Sequence, residues 1–222
     1  MIVPVYNEAK TLAEIIRRVT DVPIDKEIVI VDDGSNDQTL SIARALANGR
    51  SDVLVLSHPR NMGKGAAIQT GLTVATGEFT IIQDGDLEYD PQDYLRLLDH
   101  ARRTGSVAVY GSRILGGGPA SYLRYYWGGR VLSFLASVLY GTRITDEPTC
   151  YKLVRTDILK SLKLGERRFG FCPEVTAKLL RRGVSIPEVP ITYRPRSIAE
   201  GKKIRWKDGI RAVWVLFRER FF

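Results

Sequence analysis

Phe79-Thr80-Ile81-Ile82-Gln83-Asp84-Gly85-Asp86-Leu87-Glu88 is the stretch on which the reading of this chain turns. An apolar run of strand length ends in two carboxylates one residue apart, with a glycine between them. Both can approach one site if the turn bends, and hard divalent ions such as Mg²⁺ take oxygen ligands that they share with substrate phosphates. Gly85 lets the backbone come close to a ligand. Alone, Asp-x-Asp is a weak signal, because acidic pairs also serve as solvated turns or helix caps. The sequence around it adds the rest.

Upstream, short apolar runs alternate with helix-period segments, the pattern of a parallel sheet with crossover helices. Ile2–Val5, Glu27–Val31, Val53–Leu56, Phe79–Gln83 and Ser106–Tyr110 read as strands. Ala9–Val19, Gln38–Ala47, Ala66–Ala75 and Pro91–Arg103 read as helices, with Pro91 suited to a first helical position. In open α/β sheets ligands sit beyond the carboxyl ends of the strands. Three such ends carry polar clusters.

Pro4-Val5-Tyr6-Asn7-Glu8 closes the first strand, offering a flat ring for a base and a carboxylate acceptor, or a strand exit in which Asn7 caps a helix. Val31-Asp32-Asp33-Gly34-Ser35-Asn36-Asp37 closes the second, with Asp33 read as a ligand contact and Asp37 as a cap. Asn61-Met62-Gly63-Lys64-Gly65 opens a helix with glycines and a cation. It lacks the Gly-Lys-Ser/Thr ending of a P-loop, and its helix start can bind an anion or merely permit tight packing.

After Tyr110 the pattern changes. Gly116-Gly117-Gly118-Pro119 reads as a connector, Tyr122–Tyr140 and Phe171–Arg182 as helices, and Ile186–Tyr193 as a strand. From Trp206 to Phe221, Trp206, Ile210, Val213, Trp214, Phe217 and Phe221 fall on one helical face, with Lys207, Arg211 and Arg218 off it. That face suits a membrane interface or docking onto the rest of the protein.

The chain's 222 residues fit one large α/β domain, and 44% hydrophobic with 26% charged residues excludes disorder as the default. The two cysteines, Cys150 and Cys172, form neither a disulfide framework nor a metal spacing, which points to a reducing, cytosolic compartment. No signal-peptide pattern precedes the first strand. No apolar run approaches the roughly 20 residues of a transmembrane helix. Net charge is +8, and residues 191–222 hold nine Lys/Arg against three Asp/Glu, so a basic tail follows a nearly balanced body. Such a tail suits an anionic partner: phosphate, membrane or nucleic acid. No helix-turn-helix, zinc or RNA-binding signature accompanies it, which sets nucleic acid aside.

In this order, the clusters resemble glycosyltransferase family 2, within it the polyprenyl-phosphate (dolichyl-phosphate-type) mannosyl- and glucosyltransferases. The likeness runs through Val-Asp-Asp-Gly-Ser at 31–35, Gly-Lys-Gly at 63–65, Gln-Asp-Gly-Asp-Leu-Glu at 83–88 and Tyr-Gly-Ser-Arg at 110–113. It continues in Arg168-Phe169-Gly170-Phe171 and Glu200-Gly201-Lys202-Lys203. The resemblance implies an α/β chain with a GT-A (Rossmann-like) nucleotide-sugar-binding domain, residues 1–205, built on a mostly parallel central sheet. Residues 206–222 would form a C-terminal amphipathic basic helix. It implies that Pro4, Tyr6, Glu8, Val31 and Asp33 hold the nucleoside, with Gly85 and Glu88 completing the donor side. Asp84 and Asp86 would place a divalent metal, Mg²⁺ or Mn²⁺. Arg113 would meet the acceptor phosphate with Arg124 or Arg130, and Arg196 and Lys203 would close over the site.

The expected reaction moves a hexose from a GDP-mannose or UDP-glucose type donor to a polyprenyl phosphate, with inversion, peripherally on the cytoplasmic membrane face. Gly85 stands where alanine is usual, Glu88 where glutamine is frequent, and residues 146–151 lack the mannosyl enzymes' serine-glycine, so the donor sugar stays open. A hydroxyl acceptor needs a general base; Asp146 and Glu174 are the candidates, with structural anchoring as the other reading of each. A phosphate monoester, with a second pKa near ~6, needs none, and arginine's fork suits it. A family 2 enzyme acting on a sugar hydroxyl is the nearer alternative. A sugar-nucleotide pyrophosphorylase is more distant, because the early glycine- and arginine-rich loop of such enzymes is missing around Val3–Leu12. Oligomeric state is left open.

Overall fold

The structure, a computed structural model, describes residues 1–117, 123–195 and 206–222, the side chains of residues 123–125 excepted. Strands β1 (Ile2–Val5), β2 (Ile28–Asp32) and β3 (Val53–Ser57) form a parallel sheet in the order β1-β2-β3. Every residue of β1 and β2 is buried, as parallel strands covered on both faces require. Helices α1 (Leu12–Thr20), α2 (Thr39–Ala47) and α3 (Lys64–Val74) make the crossovers. In α1 the buried Leu12, Ile15, Ile16 and Val19 recur at helical spacing.

The second half forms a mixed sheet of β4 (Phe79–Thr80), β5 (Ala108–Ser112), β6 (Lys152–Arg155) and β7 (Glu188–Pro190), in the order β4-β6-β5-β7. β6 is antiparallel to both β4 and β5, whereas β7 is parallel to β5. Ile2 joins the two sheets: its N–H donates to Ile81 O (3.0 Å) and its carbonyl accepts from Gln83 N–H (2.9 Å). The stretch read as a strand to Gln83 therefore runs on beside β1 beyond the two residues of β4. Pro91–Asp93 forms a 3-10 turn before α4 (Tyr94–Thr104).

Two elements were not read from sequence, β6 and the short helix α6 (Thr156–Ser161). β6 opens with a lysine, which disguises it. Lys152 is buried, 3.7 Å from Glu147 Oε1 and 3.8 Å from the Tyr110 ring centroid. Because β6 runs against its neighbours, the segment leading into it, residues 144–151, arrives at the edge where β4 and β5 leave.

Helices α5 (Leu123–Tyr140), α7 (Phe171–Arg181) and α8 (Trp206–Phe221) form a second, smaller cluster through Leu132, Ala136, Ala177, Ala212 and Leu216. α8 docks by Ala212, Val215 and Leu216. The aromatic face read from sequence is therefore not the docking face: Trp206, Ile210, Trp214, Phe217 and Phe221 are exposed, and Val213 alone of that set packs on the cluster.

Glu166 holds α8 to the body, accepting from Arg211 Nε (3.1 Å) and from a second Arg211 nitrogen (2.7 Å), and from Arg218 (2.8 Å). Burial opposes the charge of this carboxyl, but the two guanidinium groups outweigh it and hold its pKa below the usual carboxylate range. A depressed folded pKa contributes stability that is complete above the unfolded value of about 4.3 and is lost as pH falls through the folded value. Glu166→Gln should thus lower the thermal midpoint at neutral pH. The gap from the unsubstituted protein should close progressively below about pH 4 in a calorimetric pH series.

Candidate active site

The exits of β1, β2, β4 and β5 and the start of β6 share one edge, and nearly every described residue singled out from sequence lies there. The first two loops are tied to each other. Asn7, at φ 52°, donates its N–H to Ser35 Oγ (2.9 Å) and accepts Asn36 N–H on its side-chain oxygen (2.8 Å). It links loops and does not cap α1, which starts at Leu12. Asp37 accepts from Thr39 N–H (2.9 Å) at the start of α2 and from Ala9 N–H (3.2 Å).

Pro4 and Val31 face each other in register, both buried. Tyr6 and Glu8 are half-buried on the β1 loop, and Thr11 Oγ1 donates to Glu8 Oε2 (3.0 Å) and to Gly85 O (2.8 Å). The loop after β1 thereby touches the carboxylate turn. Gly85 serves that approach: a Cβ there would lie 2.8 Å from Val5 Cγ1 and 3.4 Å from Glu8 Cγ. The chain behind the glycine is thus β1 itself.

Asp33 is engaged on both oxygens. Oδ1 takes Met62 N–H (2.8 Å) and faces His58 Nδ1 (2.7 Å), and Oδ2 takes Gly63 N–H (2.8 Å). It fixes the start of α3. Its neighbour Asp32, buried at the end of β2, accepts Ser35 N–H on Oδ2 (3.1 Å), while Oδ1 is buried with no hydrogen-bond partner. A buried oxygen of that kind calls for a donor from elsewhere.

In the carboxylate turn, Gln83 is a strut: Tyr94 and Tyr151 hydroxyls both donate to its Oε1, the latter at 2.7 Å, and its Nε2 donates to Asp84 O (2.9 Å). Asp84 is paired through Oδ1 with Lys64 Nζ. In the sequence Lys64 is a cation at a helix start; its pairing with Asp84 emerges only from the packing of α3 against β1. Asp86 accepts Glu88 N–H (3.1 Å), and Glu88 Oε2 accepts from Tyr193 Oη (2.7 Å).

A divalent ion fits this turn if ligand oxygens complete its shell. Asp84 is about one-fifth exposed and already faces a cation, the Lys64 ammonium. Two carboxylates with substrate phosphates are what Mg²⁺ sites typically use. Among the described residues no cluster of three or more His, Cys, Asp or Glu forms a closed protein-only site.

Across the edge, Arg113 follows β5 and grips Asp146 in a fork, Nε to Oδ2 (2.8 Å) and a terminal nitrogen to Oδ1 (2.7 Å), with its own N–H also on Oδ2 (2.8 Å). Its guanidinium lies 5.0 Å from the Tyr193 ring centroid and 6.0 Å from that of Tyr89. Tyr89 Oη accepts Cys150 N–H (3.1 Å), and Lys64 Nζ lies 3.4 Å from Cys150 Sγ. Lys64, Cys150 and Tyr89 thus bridge Asp84 to Arg113. Tyr89 carried a sequence signal, since it directly follows Glu88, but an isolated tyrosine does not announce its partner.

Arg130, on α5, donates to Thr145 O (3.4 Å) beside Asp146. The Arg124 side chain, Arg196 and Lys203 lie outside the described residues. Glu174 is buried and accepts Gly165 N–H (2.8 Å), Glu166 N–H (2.8 Å) and Lys178 Nζ (2.7 Å), an anchor.

A parallel sheet whose exit edge carries the polar loops and a carboxylate turn has the layout of an open α/β ligand-binding fold, with the candidate site beyond the carboxyl ends of the strands. The chain belongs to Glycosyl transferase family 2, whose profile matches residues 1–163. An undecaprenyl-phosphate mannosyltransferase of Micrococcus luteus is 30% identical over 99% of this chain and 97% of its own. A dolichyl-phosphate beta-glucosyltransferase of Trichomonas vaginalis is 30% identical over 100% of this chain and 72% of its own. The solved structure of glucosyl-3-phosphoglycerate synthase from Mycobacterium tuberculosis, with Mn²⁺, uridine diphosphate and phosphoglyceric acid, superposes with TM-score 0.73 at 17% identity, over 99% of this chain and 77% of that one. That likeness bears out the GT-A architecture. Among the described residues no helix is long and apolar enough to cross a membrane.

The geometry separates two roles for the neighbouring aspartates. Asp33→Ala should strand two backbone N–H groups and His58, at about 1–3 kcal/mol per buried unpaired group, and so lower thermal stability with no ligand present. An unchanged unfolding midpoint would show that the clamp contributes nothing.

Proposed function

We propose that the chain transfers a hexose from a nucleoside-diphosphate sugar to a polyprenyl phosphate, inverting the anomeric carbon. The observation that carries this is the pairing, on one sheet edge, of the Asp84–Asp86 turn with the arginine fork of Arg113, bridged by Lys64, Cys150 and Tyr89. The polyprenyl-phosphate activities of the two relatives support it.

On the donor side, the β1 and β2 loops hold the nucleoside, with Pro4, Tyr6, Glu8 and Val31 around it. Asp84 and Asp86 would hold Mg²⁺ or Mn²⁺, which supplies Lewis-acid stabilisation of the departing nucleoside diphosphate. Lys64 adds a fixed positive charge beside the same phosphates.

On the acceptor side, the two carboxylates eligible as general bases are both occupied, Asp146 by Arg113 and Glu174 by two amides and Lys178. An acceptor already ionised at neutral pH needs neither. Asp146 and the two tyrosines hold the Arg113 guanidinium in place, so its remaining N–H groups are oriented before the acceptor phosphate arrives. A sugar-hydroxyl acceptor would instead require Asp146 to leave that fork.

Assays pairing GDP-mannose and UDP-glucose with a short-chain polyprenyl phosphate test the reading. Turnover should require a divalent ion and fall at least about 100-fold in Asp84→Ala or Asp86→Ala, the scale of losing a main electrostatic stabiliser. Arg113→Ala should impair use of the acceptor far more than donor binding. Product NMR should show a β-linkage from an α-linked donor. Equal turnover after chelation, or an α-linked product, refutes the metal and inversion parts respectively.

A further inference from the structure

Lys152 opens β6 with its side chain almost wholly enclosed, at 2% exposure against 0% for Glu147. An ammonium so deep is out of a substrate's reach, and the sugar transfer gives it no direct part. Its Nζ donates to the Glu147 main-chain carbonyl and to Thr176 Oγ1 (3.3 Å), and lies 3.7 Å from Glu147 Oε1 and 3.8 Å from the Tyr110 ring centroid. Thr176 Oγ1 is in turn 3.0 Å from both Glu147 Oε1 and Tyr110 Oη. Strands β5 and β6, helix α7 and the turn before β6 thus meet on one charge.

Stability does not account for the pair. Replacing a buried ion pair by apolar groups of similar volume is often neutral or stabilising, because desolvation consumes most of the attraction. Here the pairing is also incomplete, since Glu147 Oε2 is buried with no hydrogen-bond partner. Burial pushes the Glu147 carboxyl up despite Lys152. For Lys152, burial is outweighed by Tyr110 and Glu147, and its pKa stands above the ordinary lysine value. The ammonium keeps its charge, and its closest contact is a backbone oxygen and not the carboxylate. A charge held that way fixes a main chain.

The main chain it fixes carries Asp146. Asp146 N–H donates to Glu188 Oε1 (3.0 Å), Glu147 N–H to Ser133 Oγ on α5 (2.9 Å), and the Glu147 carbonyl accepts from Lys152. Thr149 N–H closes the turn on Asp146 O (3.3 Å). The backbone is therefore anchored on both sides of the Asp146 side chain, which takes Arg113 in its fork at 2.8 and 2.7 Å.

We propose that Lys152 is a positioning residue for the acceptor: by gripping the Glu147 carbonyl it fixes the turn that holds Asp146, and through Asp146 it aims the Arg113 guanidinium. Its part in acceptor use rests on the lipid-phosphate reading, whereas its control of Arg113 geometry does not. Misplacing a group by about 1 Å can cost about 100-fold in rate, so a smaller shift passed through two side chains corresponds to roughly tenfold.

Lys152→Met, and Lys152→Met combined with Glu147→Gln, separate position from stability. The single variant leaves a carboxyl alone in the interior and should lose thermal stability. The double variant holds neither charge, so it should fold with an unchanged circular dichroism spectrum and recover most of that loss. Its kcat/KM for a short-chain polyprenyl phosphate should nevertheless fall about tenfold or more, with KM for the sugar nucleotide unchanged. Glu147→Gln alone keeps the carbonyl in the grip of Lys152, and should lose stability while leaving acceptor kcat/KM unchanged. With no acceptor present, the Arg113 Nε–H resonance, assigned by its absence in Arg113→Lys, should exchange with water faster in the double variant than in the unsubstituted protein. A folded double variant with unchanged acceptor kcat/KM and unchanged Arg113 exchange overturns the proposal. An equal rise in KM for the donor does so too, because Lys152 would then prop the whole edge. A double variant that does not fold assigns the pair to stability and overturns it as well. If neither parent nor variants use polyprenyl phosphate while Arg113 exchange still follows Lys152, the acceptor reading fails and the positioning of Arg113 stands.

Discussion

Two backbone hydrogen bonds from Ile2, one given to Ile81 and one taken from Gln83, hold the architecture together. β4 pairs with β6 over only two residues, which is too little to fix where the chain beyond it runs. Pairing with Ile2 carries residues 81–83 along β1 in parallel, so that the carboxylate turn emerges where β1 ends. Val5 then sits behind residue 85, and only glycine fits without displacing it. A slip of one residue would turn Gln83 out of its buried place between Tyr94 and Tyr151 and reverse every side chain after it.

From that fixed point the site is assembled by carboxylates used as clamps, Asp33, Asp146 and Glu174 buried and Glu188 half-buried. Asp33 holds the start of α3, Asp146 holds Arg113, Glu174 holds residues 165–166, and Glu188 accepts Thr145 N–H (2.7 Å) and Asp146 N–H (3.0 Å). Burying a carboxylate is costly unless its oxygens are hydrogen-bonded. Here backbone amides of loops supply the bonds, so the cost of burial is offset only when each loop is in place. The exit edge is rigid because its loops are what keep those charges satisfied.

This is also why the sequence disclosed the site unevenly. Apolar runs at period and the order of the polar clusters were enough for the parallel half and for the Asp84–Asp86 turn, since those depend on local pattern. β6 was hidden because Lys152 breaks its apolar run, and a lysine becomes acceptable there only beside Glu147 and the Tyr110 ring, which are remote or out of register in the chain. Asp32 and Asp33 are indistinguishable as letters; His58 and the 62–63 amides, brought in by β3 and α3, decide which is a clamp. The α8 stripe was visible by period, but which face docks depended on α5 and α7. Alanine and leucine there had no apparent claim over tryptophan.

The small residues win that contest because close helix packing needs them, leaving the bulky ones outside. The consequence reaches the catalytic edge through one short loop. Glu166, gripped by Arg211 and Arg218 of α8, lies in the segment whose backbone presses on the start of α3. Ala66 N–H donates to Arg167 O (2.9 Å), Gln69 Nε2 donates to Glu166 O (3.0 Å), and a Cβ on Gly65 would lie 2.2 Å from Glu166 O. Lys64, the partner of Asp84, is the first residue of that helix. The helix that offers its aromatic face outward and the helix that sets the charge beside the carboxylate turn are therefore braced against opposite sides of residues 165–168. Neither can shift without losing contacts that the other relies on.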